Sequence, residues 1–364
     1  MKMQTFPAYF LGANSARGFV NRFSDCFSAK DGWKAILIKG GPGCGKSTFM
    51  KRVAVDARER GEAVTVCPCS SDPDSLDAVI LPGKKLAVMD ATAPHTLDPE
   101  YPGVCERILD FSAFWDVRKL AGYSSEILRL TDENRACHHR ASGYLRAYGE
   151  CLAEISRTAL LGCDLARLAG VSERLSGKIP TVSPKPGSQT QRYLSGFTPK
   201  GYLTFFDTVR NFCETTVLLR DEYGCASDIV LSLLRDTALE KGHRVVVLLD
   251  PVFGEDKIDH LILPDCGMAF CSENSRMKWD LPSVRRKDLM RYYNREILEG
   301  RKKRLKMLRK LGGQLEEDIV RELAAAKAVH DELERPYGLA MDFARLEEVF
   351  RDFVQTVYFS EKVC

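Results

Sequence analysis

Nowhere in the 364 residues does an apolar run approach the length of a membrane span. The first ten residues, MKMQTFPAYF, have no apolar core of the signal-peptide kind. Together these absences predict a cytoplasmic protein without a membrane-spanning segment. Charge of one sign is lacking too. Fifty-three Lys and Arg face 50 Asp and Glu, a formal net charge of +3, so no global bias towards nucleic acid or a membrane surface exists. Paired cysteine spacing is also missing. The 13 cysteines are odd in number and scattered, which excludes a disulfide framework and suits a reducing compartment. Cys67-Pro-Cys69 and Cys266…Cys271 are the close pairs, and their spacings do not match zinc motifs, so buried thiols are expected there. In the same way Cys137-His138-His139 lies in a helical pattern, where adjacent residues face different ways and rarely share one ion.

What is present is one stretch of strong chemistry. Residues 39–50 read KGGPGCGKSTFM, with Gly40 followed after four residues by Gly45-Lys46-Ser47, the pattern of a phosphate-binding P-loop. Ala35-Ile36-Leu37-Ile38 before it reads as a buried strand. Phe49, Met50, Val53, Ala54 and Ala57 after it recur at helical spacing, and Gly61 marks the stop. Strand, glycine loop and helix is the context the motif requires. Glycines let the backbone curl so that its N–H groups face phosphate oxygens, and the helix N-terminus adds positive potential. The nucleotide site is therefore predicted to comprise Gly40, Gly41, Pro42, Gly43, Cys44, Gly45, Lys46, Ser47 and Thr48. Lys46 would reach the β- and γ-phosphates, and Ser47 would take one Mg²⁺ position. Cys44 is read as a small tolerated residue in preference to a low-pKa redox thiol.

A second ligand for Mg²⁺ follows downstream. Leu86-Ala87-Val88-Met89-Asp90 is an apolar strand ending in a carboxylate, the Walker B pattern, which would set Asp90 beside the phosphates. Lys46 and Asp90 are thus the predicted catalytic pair. No Glu follows Asp90, which argues for slow hydrolysis, for another base or for phosphoryl transfer to a different acceptor, with Asp72, Asp74, Asp77 and His95 as nearby candidates. The expected cofactors are ATP or GTP and Mg²⁺.

The chain also repeats itself. Offset by 181 residues, Ala35–Val66 runs without a gap against Thr216–Val247. Gly43-Cys44 meets Gly224-Cys225, and Ala57, Glu59 and Gly61 meet Ala238, Glu240 and Gly242. Past a one-residue slip, Asp77 and Leu81-Pro82 meet Asp259 and Leu263-Pro264. The second copy has lost the site: Lys46 becomes Ser227, Ser47 becomes Asp228, Gly40 and Gly41 become Asp221 and Glu222, Gly45 becomes Ala226, and the Asp90 position holds Ser272. Acidic groups there would repel phosphate. The expected organisation is an intact repeat at 1–178 with a helical segment at about 105–175. A Pro- and Gly-rich linker at 179–191 leads to a degenerate repeat at 192–364 with a helical segment at about 283–357. The expected fold class is α/β: a P-loop NTPase-like parallel sheet, duplicated in tandem, each copy with a helical appendage.

Arg285–Lys310 holds 12 Lys/Arg against 3 Asp/Glu. Such a segment can meet a protein partner, an acidic ligand or nucleic acid; a solvated or intramolecularly neutralised segment is the preferred reading, and Glu316, Glu317, Asp318 and Glu322 could pair with it in a helical hairpin.

With GGPGCGKST, CSSDPDSLD, DATAPH and the tandem arrangement in view, the chain resembles a family of bacterial tandem P-loop ATP-binding proteins over its whole length. That resemblance implies an intracellular nucleotide-binding protein or ATPase with its site at Gly40–Thr48. The function expected is Mg-dependent ATP hydrolysis at one site, with a structural or regulatory second repeat whose Arg or Lys could reach the γ-phosphate. A small-molecule kinase and a non-enzymatic nucleotide switch are the alternatives.

Overall fold

A computed structural model describes residues 6–281 and 284–359. Residues 1–5 of the N-terminal stretch discussed above, and 360–364 at the end of the second repeat, lie outside the described residues. Among the described residues no helix is long and apolar enough to cross a membrane.

A short antiparallel hairpin, β1 (Gly12–Ser15) and β2 (Gly18–Asn21), leads into the first α/β unit. Its sheet strands are β3 (Lys34–Lys39), β4 (Thr65–Pro68), β5 (Leu76–Leu81), β6 (Leu86–Asp90) and β7 (Glu106–Asp110), in the order β4-β5-β6-β3-β7. Helix α1 (Lys46–Glu59) follows β3 and buries Phe49, Met50, Val53, Ala54 and Ala57 along one face. β3 pairs in parallel with β6 and β7, while β5 runs antiparallel to both its neighbours. The expected all-parallel sheet is therefore a mixed one. The link from β5 to β6 is residues 82–85, far too short for the crossover that a parallel pair needs. Helices α2 (Val117–Gly122), α3 (Ser124–Leu160) and α4 (Leu165–Ser176) complete the first half.

The second half opens with β8 (Ser188–Arg192), so residues 188–191 of the expected linker form an edge strand paired with the sheet. A hairpin of β9 (Ser195–Thr198) and β10 (Gly201–Thr204) and helix α5 (Phe206–Phe212) come next. Then follow β11 (Thr215–Arg220), α6 (Cys225–Glu240), β12 (Arg244–Leu249), β13 (Ile258–Leu263), β14 (Met268–Glu273) and β15 (Arg285–Asp288). The sheet order is β15-β11-β14-β13-β12-β8, with β13 alone reversed. Ile38 lies opposite Asp90 in the first sheet and Leu219 opposite Ser272 in the second. Helices α7 (Arg295–Glu299), α8 (Lys302–Ala340) and α9 (Phe343–Phe359) end the chain.

The two long helices α3 and α8 pack along each other, and beyond them the halves exchange their last helices. Leu168, Val171 and Leu175 of α4 join the core of the second sheet around Val230, Leu234 and Ala238. Leu346, Phe350 and Val357 of α9 join the core of the first sheet around Phe49, Met50 and Val53. Four backbone hydrogen bonds lock the exchange: Asp164 to Tyr292 at 2.8 Å, Asp342 to Phe114 at 2.9 Å, Asp116 to Ala340 at 2.8 Å and Asn294 to Gly162 at 2.7 Å. A constant offset of 178 residues relates the members of each pair of bonds, so the exchange is reciprocal.

Candidate functional site

The glycine loop between β3 and α1 takes the backbone that its sequence demands. Gly43 and Gly45 have φ of +65° and +88°, a region side-chain-bearing residues avoid, and Gly45 is the left-handed N-cap of α1. Lys46, the first helical residue, folds back over the loop. Its Nζ donates to the carbonyls of Gly40 and Gly41, both at 2.8 Å, and lies 3.6 Å from Asp90 Oδ2. Register explains that last approach, because β6 beside β3 ends with Asp90 level with Ile38. Ser47 Oγ accepts from the Leu76 amide at 3.0 Å. Cys44 is buried and donates to Gly41 O at 3.0 Å. Burial pushes its thiol above its ordinary pKa and outweighs Lys46, so the loop holds no activated thiol.

The structure brings Lys46, Ser47 and Asp90 together and adds Thr92. Its hydroxyl accepts from the Gly40 amide at 3.2 Å and donates to Gly40 O at 2.9 Å, and its own amide donates to Asp90 Oδ1 at 2.8 Å. Thr92 thus fixes both loop and carboxylate, a role the segment DATAPH carried without any spacing signal. The candidate bases divide. Asp72 accepts from Ser75 Oγ at 2.8 Å and lies 3.6 Å from Lys327 of α8, while Asp74 pairs with Lys200 at 2.5 Å. Both cations come from the second half and end on the acidic loop. Asp77 is buried, and His95 Nε2 sits 3.4 Å from its Oδ1.

The exchanged arm covers the outer side of the loop. A side chain at Gly43 would meet the Glu334 carbonyl at 2.5 Å, one at Gly41 the rings of Trp115 at 3.1 Å and Tyr337 at 3.3 Å, and one at Gly45 the Leu346 side chain at 3.1 Å. Glycine is required here by close approach as well as by φ. The Glu334 carboxyl is held below its ordinary pKa by His330, 3.5 Å away, and in lesser part by the Gly43 amide.

In the second half the same offset lands on a different structure. Helix α6 begins at Cys225, the counterpart of Cys44, because Ala226 replaces Gly45 and continues the helix. The carboxylate of Asp221, 1% exposed, lies at its N-terminus and accepts from the Ser227 amide at 2.9 Å, the Tyr223 amide at 3.0 Å and the Tyr293 hydroxyl at 2.9 Å. Burial, and then Asp221 itself, hold the Tyr293 phenol far above its ordinary pKa, so it remains a donor. Asp228 takes over the Ser47 contact by accepting from the Ile258 amide at 2.9 Å. These groups do more than repel an anion: one of them already occupies the helix terminus where an anion would bind.

The basic segment forms intramolecular ion pairs, with other partners than the acidic residues 316–322. Residues 302–340 form one continuous helix instead of a hairpin. Arg286 pairs with Glu273 at 3.2 Å, Arg304 with Glu154 at 2.6 Å, and Arg309 lies over the Tyr223 ring. Glu322 is taken by Arg140 at 2.9 Å and Glu316 lies 3.6 Å from Arg276. No protein-family model, curated protein or solved structure matches the chain.

Proposed function

We propose that the loop Gly40–Thr48 binds the phosphates of a nucleoside triphosphate, with ATP hydrolysed in the presence of Mg²⁺. On this reading the chain is a P-loop NTPase of the tandem ATP-binding kind, built from two copies of one unit of which only the first retains the site. The single observation that carries the reading is the position of Lys46. Its ammonium lies within the loop, on carbonyls that an anion's arrival would free it from, and 3.6 Å from Asp90. Ser47 and Asp90 supply the hard oxygen donors that Mg²⁺ takes. The copies are supported by the shared sheet order, the matched register at Asp90 and Ser272, and the reciprocal exchange of α4 and α9.

A second reading, a nucleotide-dependent switch with little turnover, is favoured by the arm seated on the loop at Glu334, Tyr337 and Leu346. One experiment separates these and the kinase alternative. Purified protein is titrated with ATP and GTP and assayed for phosphate release with Mg²⁺, beside Lys46→Ala. Loss of at least tenfold in affinity in the variant is expected, since Lys46 would contribute a charge-assisted contact of about 1.5–3 kcal/mol. Equal binding by both proteins refutes the phosphate site. Inorganic phosphate release marks the ATPase, binding without turnover the switch, and γ-label appearing on a small molecule the kinase.

A further inference from the structure

Beside the loop two buried polar atoms have no protein partner: Oδ2 of Asp77 and Nδ1 of His95. Their residues are 2% and 7% exposed. Leaving such atoms unmatched is costly, so each needs an explanation. Cys69 supplies a third group. One ligand atom from each of Cys69, Asp77 and His95 lies within 4.8 Å of the other two, and the other ring nitrogen and the other carboxylate oxygen, His95 Nε2 and Asp77 Oδ1, approach to 3.4 Å. Ligand bonds of 2.0–2.3 Å in a tetrahedron put ligand atoms about 3.3–3.8 Å apart, so a small closure of the set accepts an ion.

We propose that Cys69, Asp77 and His95 form a binding site for a zinc-class divalent cation, with a fourth position left open. Thiolate, imidazole and carboxylate are the donor types that such an ion takes, and three protein ligands with an open position is the pattern of reactive rather than purely structural sites. Each ligand is held by a different device. The Cys69 amide donates to Ser75 O at 3.1 Å, which folds the acidic loop back on itself. Asp77 is fixed within β5. The His95 amide donates to Thr92 O at 2.8 Å, and its ring packs between Phe19 and Phe23, each 5.0 Å away.

The second half shows what the arrangement needs. The sequence offset pairs Cys69 with Asp250 and Asp77 with Asp259, and the same loop bond recurs, Asp250 N to Lys257 O at 3.0 Å. There the chain provides its own cation. Lys257 Nζ lies 2.8 Å from Asp250 Oδ2 and 3.8 Å from Asp259 Oδ1. Ser75 stands at the Lys257 position in the first half and brings no charge. An ammonium fills the place in one half, and a metal ion would fill it in the other.

The test uses the full chain, stripped with a chelator and titrated with Co²⁺ and then with Zn²⁺ in competition with a chromogenic chelator. One equivalent is expected, with tetrahedral Co²⁺ absorption and a thiolate-to-cobalt charge-transfer band. Cys69→Ser and His95→Asn should weaken binding more than about 100-fold, because losing even an outer supporting partner costs 10–100-fold. Cys69→Asp should keep the ion and lose the thiolate band. Cys67→Ser should bind like wild type, and the wild type should take up the ion with no nucleotide present, which separates this site from the nucleotide reading. Absence of binding by the wild type, a Co²⁺ spectrum without the thiolate band, or undiminished binding by Cys69→Ser and His95→Asn overturns the proposal.

Discussion

Asp221→Ala tests whether the second half carries its own anion. The Asp221 carboxylate is 1% exposed and accepts from the Ser227 amide, the Tyr223 amide and the Tyr293 hydroxyl at 2.9, 3.0 and 2.9 Å. Alanine removes the acceptor of the buried Ser227 amide, the buried Tyr293 hydroxyl and the part-buried Tyr223 amide. Each unsatisfied group costs about 1–3 kcal/mol, and a lost helix cap alone about 1 kcal/mol. Water entering the vacated space recovers part of this, which leaves a loss of about 4 kcal/mol. Asp221→Asn keeps one acceptor oxygen and should lose about half as much. Urea unfolding measures both. The decisive arm adds sulfate. The vacated place lies at the N-terminus of α6, where an anion is favoured by the free amides and the helix field. Sulfate should therefore stabilise Asp221→Ala well beyond its effect on wild type. A loss below about 1 kcal/mol, or equal sulfate effects on the two proteins, would refute the view that this carboxylate fills an anion site.

Two further outcomes follow from packing and charge. Phe350 of α9 is buried edge-on against Phe49 at 5.4 Å with the Arg52 guanidinium 3.8 Å above its ring, so Phe350→Ala should cost about 3–5 kcal/mol and hasten proteolysis within 343–359; unchanged cleavage would mean α9 is not anchored there. His260 is fully buried, and its pKa is lowered from 6.5 to about 3 by that burial, with Asp250 opposing and Lys257 adding to the effect. The unfolded chain then binds the proton and the folded one does not, so stability falls as pH drops through 6.5, by about 2 kcal/mol at pH 5. His260→Asn, whose side-chain oxygen can replace Nδ1 as acceptor for the Ser272 amide (3.2 Å), should unfold with a flatter pH dependence between 7 and 5, and an identical slope would remove His260 as the cause.

How much of this was legible depends on the range of the interaction. The strand at Ala35–Ile38, the glycine loop and the helix carrying Phe49, Met50, Val53, Ala54 and Ala57 follow from local rules and were legible; the start of α1 at Lys46 and the positive φ of Gly43 and Gly45 came from the structure. Asp90 was legible because a strand end beside β3 is a local pattern plus one register. The direction of β5 was recoverable from the four-residue link at 82–85 but was overridden by the expectation of a parallel sheet. Strand β8 was hidden because Ser188-Gln189-Thr190-Gln191 is polar and mostly exposed at a sheet edge, and shows no apolar alternation. Nothing local separates Leu346 and Phe350, which cover the first core, from residues that would cover the second, so the exchange of α4 and α9 had no signal. Cys69 was weighed only against Cys67, its neighbour in sequence, whereas its neighbours in space are eight and 26 residues away at Asp77 and His95.

The two halves differ less in shape than in how their charges are satisfied. In the second half a carboxylate sits at the N-terminus of α6 and an ammonium sits between Asp250 and Asp259, so both charge-demanding places are filled by the chain. In the first half Lys46 rests on carbonyls and no ammonium stands at the place of Lys257, while unpartnered buried atoms occur in both halves, at Asp77 and His95 in the first and at Asp259 and His260 in the second. The second half supplies α8 and α9, which lie on the loop of the first. A ligand that reshapes Gly40–Gly45 must therefore work against Glu334, Tyr337 and Leu346. If the first half binds a nucleotide as proposed, this packing would pass a movement of the loop on to α8 and α9. On the reading of two copies of one unit, the second carries at the matching positions side chains that complete its structure, Asp221 at the start of α6 and Lys257 beside Asp250, rather than neutral ones.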